Sequence, residues 1–245
     1  MQHLNRRQFL DRSLLAAGAL WALPRMGVTA IAPGVEVTVP PLITGEERNA
    51  QPDIWGLEVN FKPVRMILVD LPDPQTGKTS RELVWYLAYR AVVRPESGLP
   101  DSLKTDERPT FVPEFTFVVD GRRGTKPYED RISPIAQAAI NKRERHDYKN
   151  SVEIVGPLPK VTPPRSTKLN SLDGVAIWTG IDPDVVNFTI YMAGFSNGYR
   201  VSEGPNGKEI VMRRTLTQKF WRPGDRYEQH EEEIRIKDDP VWIYR

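Results

Sequence analysis

Two carboxylates facing each other across a cleft can split a glycosidic bond, and the same oxygens suit a calcium ion. Asp182 and Asp184, with Asp173 upstream, are the carboxylates whose spacing permits such work. Asp182-Pro183-Asp184 is also the composition of a tight turn between strands. His146 lies in Lys142-Arg143-Glu144-Arg145-His146-Asp147, and His230 in Glu228-Gln229-His230-Glu231-Glu232-Glu233. Neighbours on a strand point alternately apart, so the His230 cluster reads as a solvated charged edge and not as converging metal ligands. His146 follows a helical pattern, where a cation complements the negative end of the helix dipole. Gly194-Phe195-Ser196-Asn197-Gly198 has the Gly-x-Ser-x-Gly spacing, but it lies between two expected strands with no helix start after it. No nucleophile elbow is therefore expected to partner either histidine, and a serine-hydrolase triad is not expected. The chain has no cysteine, so disulfides, thiolate metal sites and cysteine nucleophiles are excluded. No cofactor is implied. Gly204-Pro205-Asn206-Gly207 lacks the lysine and helix start of a phosphate loop and reads as a hairpin turn.

Aromatic residues offer a different chemistry. Trp178, Tyr191, Trp242 and Tyr244, with Trp221 nearby in sequence, fall on expected strands. There they could stack on sugar rings or grip a peptide, or else pack a core. Val241-Trp242-Ile243-Tyr244-Arg245 either completes a sheet or presents an edge to which a partner strand can add.

These residues need positioning, and the strongest positional signal is Leu83 to Val93. Leu83, Trp85, Leu87, Tyr89, Ala91 and Val93 alternate with a mixed set that includes Arg90. That period predicts a strand, and its apolar length predicts the middle of a sheet. Further strands are expected at Leu57 to Phe61, Val64 to Leu71, Phe111 to Val119 and Val152 to Val155. More follow at Gly174 to Ile181, Asn187 to Phe195, Lys208 to Arg222, Glu231 to Ile236 and Val241 to Arg245. Pro63 suggests a bend in one long strand pair. One helix is predicted, from Ser133 to about Arg145, with Ser133 as cap and Pro134 in its first turn. The many strands with turn signals and no βα alternation predict a mainly β, antiparallel fold.

Composition sets bounds. The 245 residues suit a sizeable core, and the formal charge of +2 is concentrated at the start. Arg6, Arg7, Arg12 and Arg25 stand against Asp11 in residues 1–32, leaving the rest near neutral. Nothing there asks for nucleic acid as partner.

Arg6-Arg7-Gln8-Phe9-Leu10 precedes an uncharged apolar run from Leu14 to Leu23, and Ala30-Ile31-Ala32 follows. This resembles the twin-arginine export signal, carried by Arg6, Arg7, Phe9 and Leu10. It departs from the usual pattern at Asn5 and Asp11. The resemblance implies a bacterial protein exported in folded form to the periplasm or cell envelope. The apolar run is too short to span a bilayer, so no transmembrane span is expected in the mature protein. The strand layout around Trp85 resembles immunoglobulin-like sandwiches, without their cysteine pair and with a helix they need not have.

The sequence therefore predicts a signal in residues 1–32, a proline-rich linker in 33–53 that could also be a loose first strand, and a single domain in 54–245. That domain is expected to be an antiparallel immunoglobulin-like β-sandwich with one inserted helix. The expected role is an exported binding or structural module of the envelope, with an envelope protein or polysaccharide as partner. The rival expectations are a hydrolase of envelope polymers using Asp182 and Asp184, and a metal-carrying exported protein.

Overall fold

In the computed structural model, which describes residues 36–73, 76–95, 99–121, 124–162, 169–204, 207–222 and 234–245, the chain is mainly β with antiparallel sheets. The described residues all belong to one compact unit, Gly34–Arg245. Its organising strand is β4 (Thr79–Val92), which is buried on both faces. Trp85, Leu87, Tyr89 and Ala91 enter the larger buried cluster, while Val84, Tyr86 and Ala88 enter a second. The even positions that looked mixed in sequence are therefore a second core face.

Both edges of β4 are taken. β2 (Glu58–Phe61) and β3 (Arg65–Pro72) lie end to end along one, and β9 (Ser171–Trp178) along the other. Pro63 bends the path between β2 and β3, and the Lys62 N–H still donates to Ala88 O at 3.1 Å. β1 (Val37–Val39) pairs with β2.

The second sheet repeats this plan around β12 (Glu209–Trp221). β10 (Asn187–Ala193) and β11 (Tyr199–Glu203) follow one edge of it, and β13 (Arg235–Tyr244) the other. The Arg214 N–H donates to Gly198 O on the β11 side, while the Arg213 N–H donates to Arg245 O on the β13 side. β10 then pairs with β6 (Glu114–Gly121), and β6 with β7 (Gly124–Glu129). A small ladder joins β5 (Thr110–Phe111) to β8 (Gly156–Pro157).

Both sheets feed the larger cluster, with Leu57, Val59, Trp85 and Leu87 from the first and Phe115, Phe117, Ile190 and Leu216 from the second. Phe117 stacks on Phe188 with centroids 4.3 Å apart, and Trp85 meets both rings edge-on. Such aromatic pairs add specific geometry to the burial that drives the core. The other face of β4 is covered by α2 (Pro134–Glu144) through Ala136 and Ile140. The α2 boundaries follow the sequence signals: Ser133 Oγ accepts from the Ala136 N–H at 3.4 Å, and Arg145 ends the helix at φ 54°.

Four expectations need correction. The stretch read as a linker or loose first strand holds the strand β1, and beyond it an unexpected second helix, α1 (Gly45–Ala50). Helix α1 forms because Thr44 and Glu47 make a capping box, with Thr44 N–H donating to Glu47 Oε2 at 2.8 Å and Glu47 N–H to Thr44 Oγ1 at 3.2 Å. Val152 to Val155 is a turn and not a strand: Asn150 Oδ1 accepts from the Val152 and Glu153 N–H groups and curls the backbone. β7 escaped notice because it is polar and contains Pro127, which an edge strand tolerates. Of the last two expected strands, residues 231–233 lie outside the described residues, and the rest joins into one strand, β13, with a register shift opposite Thr217 to Lys219. No helix among the described residues is long and apolar enough to cross a membrane.

Candidate functional site

The acidic candidates do not converge. Asp182 and Asp184 share the turn after β9, where the Asp184 N–H donates to Asp182 Oδ1 at 2.9 Å. Asp173 stands at the other end of β9, where it accepts from Arg90 Nε at 2.6 Å. Ser171, Asp173 and His146 do gather, with Ser171 Oγ 3.1 Å and His146 Nε2 3.6 Å from Asp173 Oδ2. The carboxylate sits between the other two, so the imidazole cannot take the serine proton and the order of a nucleophilic triad is missing. Among the described residues no three histidines, aspartates or glutamates are grouped to hold a metal. His230 with its glutamates, and the signal residues Arg6, Arg7, Phe9 and Leu10, lie outside the described residues.

The four aromatic candidates separate. Trp178 is 0 % exposed in the core, cross-strand from Trp85, so it cannot touch a ligand. Burial of its ring with Phe117 is the reason. Tyr191 lies between the core residues Ile190 and Met192 and so faces outward, where the Arg245 guanidinium covers its ring at 4.0 Å. Trp242 and Tyr244 come together in one open groove of about 1060 Å³, counted with its solvent mouth. Leu42, Glu47, Arg200, Met212 and Arg214 complete its main lining.

The groove forms where the inner face of β12 runs on past the core. Leu216 is core, and Arg214 and Met212 continue the same face, since alternate residues on a strand share a side. Across β13 the partners of Leu216 and Arg214 are Trp242 and Tyr244, and across β11 the partner of Met212 is Arg200. Arg214 has a 2 % exposed side chain and bonds the N-terminal segment to this sheet. Its Nη2 donates to Pro41 O at 2.6 Å and Leu42 O at 3.0 Å, and its Nε to Glu47 Oε1 at 3.2 Å. Its guanidinium carbon lies 4.4 Å over the Trp242 ring, and Trp242 Nε1 donates to Pro40 O at 2.9 Å. Tyr244 Oη donates to the same Glu47 Oε1 at 2.5 Å.

Burial pushes the Glu47 carboxyl up, but the Thr44 backbone bond, the Tyr244 hydroxyl and the Arg214 charge outweigh it and hold the group at about 2. Burial and the Glu47 bond raise the Tyr244 phenol. Glu47 is thus ionised at neutral pH, with both oxygens engaged in hydrogen bonds. Arg200 differs: its guanidinium lies 4.2 Å over the Tyr244 ring and makes no ion pair among the described residues. Leu42 projects with 66 % exposure from backbone at φ 43°, a left-handed conformation that a leucine rarely adopts. The groove thus sets two aromatic side chains beside the Arg200 guanidinium.

Sequence reasoning found Trp242 and Tyr244 but missed Leu42, Glu47, Arg200 and Arg214. One signal was present: Thr44-Gly45-Glu46-Glu47 has the capping-box spacing that places Glu47 on a helix start. The chain matches no protein-family model, no curated protein and no solved structure.

Proposed function

We propose that this protein is an exported binding module of the bacterial cell envelope, an immunoglobulin-like β-sandwich that presents the Trp242–Tyr244 groove to its partner. Two antiparallel sheets sharing one aromatic core support the sandwich reading. The arginine pair Arg6-Arg7 with Phe9 and Leu10 supports the twin-arginine route and the periplasmic location. The observation that carries the binding role is the groove itself, in which two aromatic residues stand beside Arg200, a cation without an ion pair among the described residues. Aromatic rings with an adjacent guanidinium are the usual anchors of a binding surface. The hydrolase alternative finds no support in Asp182, which is engaged within its own turn.

Two experiments test the reading. Cell fractionation of the full chain with Arg6→Lys and Arg7→Lys is expected to leave the protein in the cytoplasm, and delivery to the periplasm overturns the export claim. Sedimentation with isolated envelope fragments is expected for the native protein and reduced for Tyr244→Ala. Equal sedimentation of the two overturns the groove as binding surface.

A further inference from the structure

We infer that the groove binds an extended, acidic peptide segment that adds as a further strand to the free edge of β13. The inference rests on the groove being a binding site and names what it binds. Its first support is hydrogen-bond phase. Arg213 and Arg245 exchange both backbone bonds, at 2.7 and 3.2 Å, which makes them a hydrogen-bonded pair. Bonded and non-bonded pairs alternate along an antiparallel ladder. The register continues unbroken through Arg214–Tyr244, Thr215–Ile243, Leu216–Trp242 and Thr217–Val241. Ile243 and Val241 therefore turn their N–H and C=O groups to β12, whereas Trp242 and Tyr244 turn theirs outward. No strand among the described residues pairs with that side of β13.

The free edge is also bounded. Pro240 has no N–H to give, and Asp238, at φ 63°, sits at the register shift that interrupts the run between Val241 and Lys237. The edge that can accept a strand is thus residues 241–245, all but the last of which line the groove. Leu42 and Val241, 66 % and 53 % exposed, give an incoming strand apolar side chains to lie against.

Charge selects the occupant. Glu47 is neutralised by Arg214 and Tyr244, so Arg200 leaves the groove one cation in excess. An acidic residue on the incoming strand would complete it, and main-chain bonds would supply the register. A second copy of this chain fits poorly, because its own residues 241–245 bring no acidic side chain to meet Arg200. A sugar ring would leave the outward amides of Trp242 and Tyr244 unused.

The test uses the full-length protein and a pool of short synthetic peptides, valine or threonine throughout with aspartate at one end. The expected result is saturable binding with shifted and exchange-protected amides at Trp242 and Tyr244. Methylating alternate peptide amides should abolish binding. Replacing aspartate by asparagine, or Arg200→Gln in the protein, should each weaken it about fivefold, and the two losses should not add. Equal binding of methylated or neutral peptides overturns the inference. So does concentration-dependent self-association that protects the same amides without peptide. If the peptides fail while an acidic oligosaccharide shifts Trp242 and Tyr244, the inference falls and the binding-module reading stands. If none of these probes shifts the groove while envelope fragments still sediment with the protein, the groove loses both readings.

Discussion

The Arg214 guanidinium and the Glu47 carboxylate leave water together, so removing one strands the other. Loss of one partner of a buried pair typically costs 3–5 kcal/mol, whereas replacing both by apolar groups of similar volume can be nearly neutral. Arg214→Met is expected to lower unfolding stability by about 3 kcal/mol. The double change with Glu47→Leu should recover much of it. Urea titrations of the native protein and these two variants measure this, and a double variant no more stable than Arg214→Met overturns it. Acid should have a related effect. Glu47 and Glu144 each lie at about 2 in the folded protein against an ordinary 4.5. For Glu144, burial pushes up while Lys62, Tyr86 and Arg65, each 2.7 Å away, hold it down. A lowered folded value means stability that is full above about 4.5 and is lost as pH falls toward about 2. Each group is worth about 2 kcal/mol at neutral pH once screening is allowed for. Asp130 runs the other way because burial raises its carboxyl, and it softens the fall without reversing it. Melting temperature followed from pH 6 to pH 2 should therefore decline steeply below about 4.5. Glu144→Gln should flatten the slope, and an unchanged slope counts against the assignment.

At the scale of elements, β4 and β9 are fitted to each other at Gly174. A Cβ there would sit 2.4 Å from the Tyr89 ring and hydroxyl and 2.8 Å from Ile154 Cδ1. Tyr89 is clasped by Phe115 and Phe195 and cannot swing away. Gly174→Ala is expected to cost about 1–3 kcal/mol by overpacking, measured as a shift in urea midpoint with unchanged slope. A neutral result would mean that the two strands can part locally. The strand β4 was legible because its period is strict and its residues are large and apolar. The α2 helix was legible because Ser133, Pro134 and its spaced apolar residues agree. The rest depended on context that local pattern does not carry. Val152 and Val155 resemble a strand by type, yet Asn150 bends their backbone. Trp178 and Trp242 are the same residue on expected strands, and only the pairing of whole sheets decides that one is sealed and the other faces the groove. Arg214 and Glu47 lie far apart in the chain, so neither announces the other.

On the scale of the molecule, the two sheets share a plan, each built on one long interior strand with two shorter strands end to end on one side. In the first sheet the other side of β4 is filled by β9, from a distant part of the chain. The consequence is one of timing. A chain emerging in order exposes Trp85 to Val92 with one side unpaired until Ser171 to Trp178 arrive, and pairings this distant in sequence form slowly. An apolar strand with an open side recruits other chains. A chain ending at Asn170 is therefore expected to scatter light on refolding from urea, while the full chain refolds clear. A clear, monomeric, cooperatively folded fragment would refute this. The long wait for β9 makes synthesis and early folding the vulnerable stage in the life of this protein, however stable the finished fold.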